Sequence, residues 1–431
     1  MSPSSSTFVD PDPSRTTVTL ADVERAAQLI AGKVRRTPLV RAPSFPGIPD
    51  VPIYLKLENL QLTGAFKLRG ATNRLAHLSP EEAGRGVIAA SAGNHAQGVA
   101  WAARSMKVPA TIVMSRTASP LKVSATEAMG AKVILVGADY EEAHEEAVRV
   151  AREEHLTLIP PFDDTRIIAG QGTVGLEILE DLPNVRRIVA GVGGGGLLSG
   201  IATAVRARSP DVELVGVQPK GADTLAESLR RGRVVVGGRP STFADGLATR
   251  HVGDLTLAIL QRCQVRAVSV DDQTIARAVF LLLEKAKVLA EGAGAAPLAA
   301  LLEDPALAKD GPVVLVISGG NLDPFLLDRI LWIGLSAEGR LLRIRTALRD
   351  TPGRLAEFLG VAATLNANVR QIVHDRESPN LAPGEVAVEL ELEIRDATQA
   401  SEVLTGYRTR GWVIETVTPM EPLPSPRRVT G

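Results

Sequence analysis

A chain of 431 residues is too long for one ordinary domain and allows two or three. Its 45% apolar and 23% charged residues give the balance of a soluble globular protein, and 48 Lys and Arg against 49 Asp and Glu leave no basic excess for nucleic acid and no charge block for an anionic membrane. Aromatics are 3%, so the cores rest on Ala, Val, Leu and Ile, which favours buried parallel strands, and the single cysteine, Cys263, excludes an internal disulfide framework and reads as an inert thiol.

Residues 1–17 are rich in Ser and Pro, lack the apolar core of a signal sequence and read as a disordered lead-in. No apolar run is long enough to span a bilayer, so a cytoplasmic protein is expected. From about residue 51, aliphatic strands alternate with helical segments. Strands are expected at 53–57, 87–91, 111–114, 133–136, 157–160, 188–192, 214–218 and 313–318. Helices are expected at 94–105, 119–129, 140–154, 170–181 and 197–207. This alternation implies βαβ crossovers and parallel sheets, an α/β fold. A smaller sheet domain is expected over about 54–157, within a larger region running from 18 to 336.

The rhythm changes at 336–340. Residues 341–348 read as a strand, 355–365 as an amphipathic helix and 368–376 as a second strand. Residues 385–393 (EVAVELELE) alternate apolar and charged side chains, the mark of a half-exposed antiparallel strand. A helix at 398–410 and a strand at 412–417 complete a βαββαβ order, which predicts a ferredoxin-like module over 340–420. The tail at 421–431 reads as disordered.

Gly191-Val192-Gly193-Gly194-Gly195-Gly196 ends one strand and opens the next helix at Leu197, satisfying the G-x-G-x-x-G pattern of dinucleotide sites. That pattern also wants an acidic residue for the ribose, about where the next strand closes. Here that strand closes on Gln218, while Asp211 and Glu213 lie at its wrong end. Four successive glycines suit a compact anion instead. Without Cβ atoms their N–H groups can wrap a monoester phosphate, with a helix N-terminus behind them. A plain strand-to-helix turn needs one glycine.

Residues 58–71 (ENLQLTGAFKLRGA) follow an early strand and enter a helix. Most lysines are simply solvated, but Lys67 lies behind Gly64 and Ala65 and beside Phe66. A lysine in an apolar pocket has a lowered pKa and can attack an aldehyde. Ser91-Ala92-Gly93-Asn94-His95-Ala96-Gln97-Gly98 closes the next strand. Small residues at a helix start leave N–H groups free to cradle a carboxylate, and Asn94 either caps that helix or meets a ring hydroxyl. Ser318-Gly319-Gly320-Asn321 ends a later strand, where α/β sheets place their ligands; its serine either makes a turn or reaches a ring nitrogen. An imine-forming lysine, a phosphate cup, a carboxylate cradle and a neutral partner for a pyridine nitrogen together match pyridoxal phosphate plus an amino acid.

On these motifs the chain resembles, from about residue 20 to 333, the threonine dehydratases (threonine ammonia-lyases) of the tryptophan-synthase-β-like class. The resemblance implies a two-domain, fold-type-II catalytic unit of parallel sheets flanked by helices, with pyridoxal 5'-phosphate as cofactor. It implies that Lys67 binds the cofactor covalently beside Phe66, that Asn94 contacts the ring hydroxyl, and that Ser318 meets the ring nitrogen. Gly193, Gly194, Gly195 and Gly196, with the N–H of Leu197, would hold the phosphate. Ser91, Ala92, Gly93, Asn94 and His95 would receive the substrate. Gly170-Gln171-Gly172-Thr173, Ala244-Asp245-Gly246-Leu247-Ala248 and Glu291-Gly292-Ala293-Gly294 look like family motifs that shape the site.

Two departures narrow the chemistry. The similar serine racemases carry a serine where this chain has Ala92, which disfavours racemisation. Related enzymes with a divalent metal site use Glu and Asp where this chain has Gln218 and Thr224, so no such metal is expected. Asp350-Thr351-Pro352-Gly353-Arg354-Leu355 matches the D-x-P-G-x-L turn of an ACT domain, implying an amino-acid effector such as isoleucine or valine, or a purely structural dimerisation role.

The implied reaction is β-elimination of L-threonine to 2-oxobutanoate and ammonia, with room for L-serine to pyruvate. Lys67, freed when the substrate binds, would take the Cα proton and must be neutral to do so. A homodimer or homotetramer is implied. The rivals are a serine dehydratase, serine racemase-like enzyme or threonine synthase of the same class, a nicotinamide dehydrogenase, and a catalytically weak amino-acid sensor. Gln218 speaks against the dehydrogenase, and the intact Lys67 and glycine loop against the sensor.

Overall fold

The computed structural model describes residues 17–378 and 381–417. The expected lead-in, apart from its last residue, and the expected tail lie outside them. The chain divides into two compact units between Asp323 and Pro324.

Ten strands are described in the first unit: β1 (Leu39–Arg41), β2 (Ile53–Leu57), β3 (Val87–Ala90), β4 (Ala110–Met114), β5 (Lys132–Leu135), β6 (Thr157–Leu158), β7 (Arg187–Gly191), β8 (Glu213–Pro219), β9 (Arg266–Val270) and β10 (Val313–Ile317). They form two sheets, one ordered β1-β2-β10-β7-β8-β9 and the other β5-β4-β3-β6. All pairings are parallel except β1 with β2. The eight strands expected from the sequence are all present, within two residues at each end.

One expectation is corrected. Residues 54–57 belong with the larger sheet, not the smaller one. β2 runs parallel to β10 from Ile53 beside Val313 to Leu57 beside Ile317. β10 (VVLVI) is buried on both faces and needs strands on both sides, and β2 and β7 supply them. The smaller sheet therefore begins at β3. The strands missed were β1, three residues long, and β9, whose RAVSV sequence is half polar.

Helices fill both sides of these sheets. Helix Thr165–Asp181 packs closely on helix Gly196–Arg208 because Gly172 lies against the carbonyl of Gly200, which a Cβ would approach to 2.8 Å. Gln171 of the same motif accepts the N–H of Gly70 at 3.2 Å, joining this helix to the one that starts at Lys67. The core beneath is aliphatic, as the composition required.

In the second unit β11 (Leu341–Arg349), β12 (Asn368–Asp375), β13 (Glu385–Glu393) and β14 (Glu415–Thr416) form an antiparallel sheet ordered β12-β13-β11-β14. With helices Arg354–Thr364 and Ala397–Thr409 this is the ferredoxin-like βαββαβ arrangement. Val386, Val388, Leu390 and Leu392 of β13 face a core containing Phe358 and Tyr407. The last strand shrinks to two residues because Trp412 turns inward instead, its ring 5.3 Å from that of Phe358.

The boundary also moves. Helix Pro324–Ala337, grouped above with the larger region, belongs to the second unit. Its Trp332 donates from the indole to Glu391 at 3.2 Å and lies under the Arg343 guanidinium.

Candidate active site

A cavity of about 1130 Å³ opens at the carboxyl ends of the strands of the first unit. Phe66, Lys67, Ser91, Ala92, Gly93, Asn94, His95, Gly193, Gly194, Gly195, Gly196, Leu197 and Ser318 all line it, so the fold brings every expected site residue to one place.

Lys67 starts a helix, and its Nζ donates to the carbonyl of Pro161 at 2.6 Å, 5.3 Å from the centre of the Phe66 ring. Among the described residues no carboxylate pairs with it, and burial pushes the amine down to about 8. His95, buried nearby, donates from Nε2 to the Ile159 carbonyl at 3.0 Å if protonated there. Burial, helped by the charge of Lys67, pushes His95 down to about 3, so it is a neutral ring at any working pH.

Two residues after Lys67 on the same helix, Arg69 enters a set of buried charges. Arg69 reaches both oxygens of Glu58 at 2.8 Å and both oxygens of Glu177 at 2.6 and 2.9 Å. Lys56 adds a second cation on Glu177 at 2.6 Å and donates to the Thr37 carbonyl. Lys56, Glu58 and Arg69 are each at most 1% exposed, so two cations and two carboxylates neutralise one another out of water. The main chain beside Lys67 is tied to the end of β10 as well: Phe66 N–H donates to Ser318 O at 3.0 Å.

The glycine loop is a cup with a filled back. A Cβ on Gly194 would collide with the Phe162 ring, and Gly195 takes a φ of +97° that side chains disfavour. Thr256 Oγ1 donates to Gly194 O at 2.7 Å and holds the loop from the opposite side. The N–H groups from Gly193 to Leu197 meet no backbone carbonyl among the described residues outside regular elements. They lie along the cavity wall at a helix start, the arrangement that binds a compact anion.

Between cup and lysine runs the loop at 160–164. Pro161 accepts from Lys67, Phe162 backs the glycines, and Asp163 Oδ1 accepts the Thr256 N–H at 3.1 Å.

Two polar groups were missed as site residues. Glu291, in a motif noted without a role, is buried at the cavity and pushed up to about 7 by that burial. Asn94 donates to its Oε1 at 2.6 Å, and Asn321 donates to Asn94 Oδ1 at 2.8 Å. No local spacing signals these contacts, since Asn94 and Glu291 are 197 positions apart.

Elsewhere, Gln218 Oε1 accepts the N–H of Leu225 at 2.7 Å and so caps a short helix. Cys263 is buried and its thiol pushed up by that burial. Among the described residues no group of three His, Cys, Asp or Glu could hold a metal ion, and no helix is long and apolar enough to cross a membrane.

These groups fit pyridoxal phosphate: an amine with a lowered pKa for the aldehyde, free N–H groups in a cup for the phosphate, and the neutral Ser318 at the end of β10. Residues 30–319 match the family described as pyridoxal-phosphate dependent enzyme. L-threonine ammonia-lyase of Thermotoga maritima is 45% identical over 401 residues, 93% of this chain and 100% of that protein. The solved structure of the T.th. threonine deaminase is 39% identical, with a TM-score of 0.67 over 71% of this chain and 99% of that one. Maize serine racemase is 35% identical, with a TM-score of 0.70 over 74% and 99%. The chain belongs to the pyridoxal-phosphate-dependent enzymes of fold type II.

Proposed function

We propose that the protein dehydrates and deaminates L-threonine to 2-oxobutanoate and ammonia. The observation that carries this is a buried lysine, with no counter-charge among the described residues, in one cavity with a glycine cup and the 91–95 segment. The relatives named above as threonine ammonia-lyase and threonine deaminase support the choice of substrate.

Lys67 holds the cofactor, with Phe66 beside it, Gly193 to Gly196 and the N–H of Leu197 on the phosphate, Asn94 at the ring oxygen and Ser318 at the ring nitrogen. The bound cofactor supplies an electron sink for ionising the Cα–H bond. Ser91, Ala92, Gly93, Asn94 and His95 bind the substrate carboxylate at the start of helix Asn94–Met106, where N–H groups are unpaired by the helix. Lys67, once its amine is free and neutral, takes the Cα proton at Nζ. Ser318 offers a hydroxyl where a carboxylate would keep the ring nitrogen protonated, which favours loss of the β-hydroxyl over transamination. Ala92 offers no base on the opposite face, which disfavours racemisation.

Product analysis separates the alternatives within the class. With pyridoxal phosphate added, threonine yields 2-oxobutanoate and ammonia, L-serine yields pyruvate without comparable D-serine, and phosphohomoserine yields no threonine. D-serine formed as fast as pyruvate would overturn the dehydratase reading.

We read the second unit as an ACT domain over about 340–420, binding an amino-acid effector, in a homodimer or homotetramer acting in the cytoplasm. The turn at 350–355 supports this: Gly353 takes a φ of +90° and starts helix Arg354–Thr364. Calorimetry on the full chain is expected to show saturable binding of isoleucine or valine. Binding of neither leaves the unit a structural role.

A further inference from the structure

The turns containing Asn321 and Glu291 meet behind Asn94, and their hydrogen bonds dictate which way its amide faces. The series begins at the carbonyl of Thr63, an atom that can only accept. Asn321 Nδ2 donates to it at 2.9 Å, which turns the NH₂ group of Asn321 towards Asn94 and lets it donate to Asn94 Oδ1 at 2.8 Å. Gln97 Oε1 takes a longer contact from the same nitrogen at 3.2 Å. Asn94 thus presents its own NH₂ group to Glu291 and donates to Oε1 at 2.6 Å. A reversed Asn94 would set C=O against a carboxyl oxygen on one side and NH₂ against NH₂ on the other. Room for Glu291 is made by Gly319, where a Cβ would collide with Oε1. Because Asn94 donates, Oε1 acts as the acceptor in either protonation state of Glu291.

We propose that Glu291 is a positioning residue which, with Asn321, clamps the Asn94 amide so that its remaining N–H, and never its C=O, is offered to the ring oxygen of the cofactor. This rests on the reading of Asn94 given under Proposed function and adds what orients it. The polarity matters because that ring oxygen is anionic in the protein-bound cofactor. An N–H stabilises it and fixes the ring over Lys67, whereas a carbonyl would repel it.

The test titrates pyridoxal phosphate into cofactor-free protein, reading affinity and the absorbance of the bound cofactor for Glu291→Ala, Glu291→Gln, Asn94→Ala and the Glu291→Ala/Asn94→Ala double variant. Glu291→Ala is expected to bind roughly tenfold more weakly and to shift the absorption band, the loss of about one hydrogen bond to a charged group. Glu291→Gln, whose carbonyl still accepts from Asn94, recovers both to within about threefold. The double variant is no weaker than Asn94→Ala, because Glu291 acts only through Asn94. If Glu291→Ala folds poorly, Asn321→Ala removes the other side of the clamp and carries the same expectations. Wild-type affinity and absorbance in Glu291→Ala alongside an altered Asn94→Ala, or additive losses in the double variant, sink the clamp and spare the reading of Asn94. No change in Asn94→Ala itself sinks both.

Discussion

Lys67→Ala lowers threonine turnover by about 10⁴-fold, the upper range for removing a group that transfers a proton in the transition state. The same variant still binds pyridoxal phosphate through the glycine cup, but without the absorbance that marks covalent attachment to a lysine. A variant that is cofactor-loaded, spectrally unchanged and active would remove Lys67 from the reaction altogether. The environment of this lysine gives the expectation a pH dependence. Burial brings the amine down to about 8, and only the neutral amine is nucleophilic. Capture of added cofactor by cofactor-free protein should therefore rise about tenfold per pH unit from 6 and level off near 8. A solvated lysine would keep accelerating to beyond 10. A plateau displaced to that range would show that the pocket does not desolvate the amine.

Arg69→Ala carries the largest expected loss of stability, about 3–5 kcal/mol by urea unfolding, because it removes one partner of a buried ionic set rather than a surface pair. Glu58 would lose both of its contacts to a cation, and Glu177 would keep only Lys56. Glu58 is wholly buried and cannot turn to water for compensation, while Glu177, its side chain 12% exposed, can do so only in part. Arg69→Lys restores the charge but not the fork that reaches two carboxylates at once, and is expected to recover part of the loss. A change below about 1 kcal/mol in Arg69→Ala would place these groups among ordinary surface ion pairs and deny them a structural role.

The sequence was most legible where backbone chemistry leaves a local mark. Four adjacent glycines, a lysine behind small residues and a strand ending in SGGN each announce themselves within a few positions, and all line the cavity. Period and length also located the strands, because buried parallel strands are short aliphatic runs. What they could not locate was the neighbour. Residues 53–57 read the same whichever sheet they join, and the choice was made by β10, some 260 positions later, which pairs with β2 along one edge and β7 along the other. Helix Pro324–Ala337 was misplaced for a related reason: its apolar stretch continues the preceding region in composition, and only the Trp332–Glu391 contact shows which core it serves. The Glu291–Asn94–Asn321 group was hidden because each residue has an ordinary local explanation, as part of a turn or a helix cap. Its meaning lies in the order of donors and acceptors, which exists only after folding.

The loop at 160–164 places a constraint on how this protein can vary. One short stretch receives the amine of Lys67 on Pro161 and supports the anion cup with the ring of Phe162. On the roles proposed above, nucleophile and phosphate grip would share a single mechanical mount. A substitution there is then expected to shift cofactor retention and the amine together, whereas a change at Thr256, which holds the cup from its other side, would adjust retention alone.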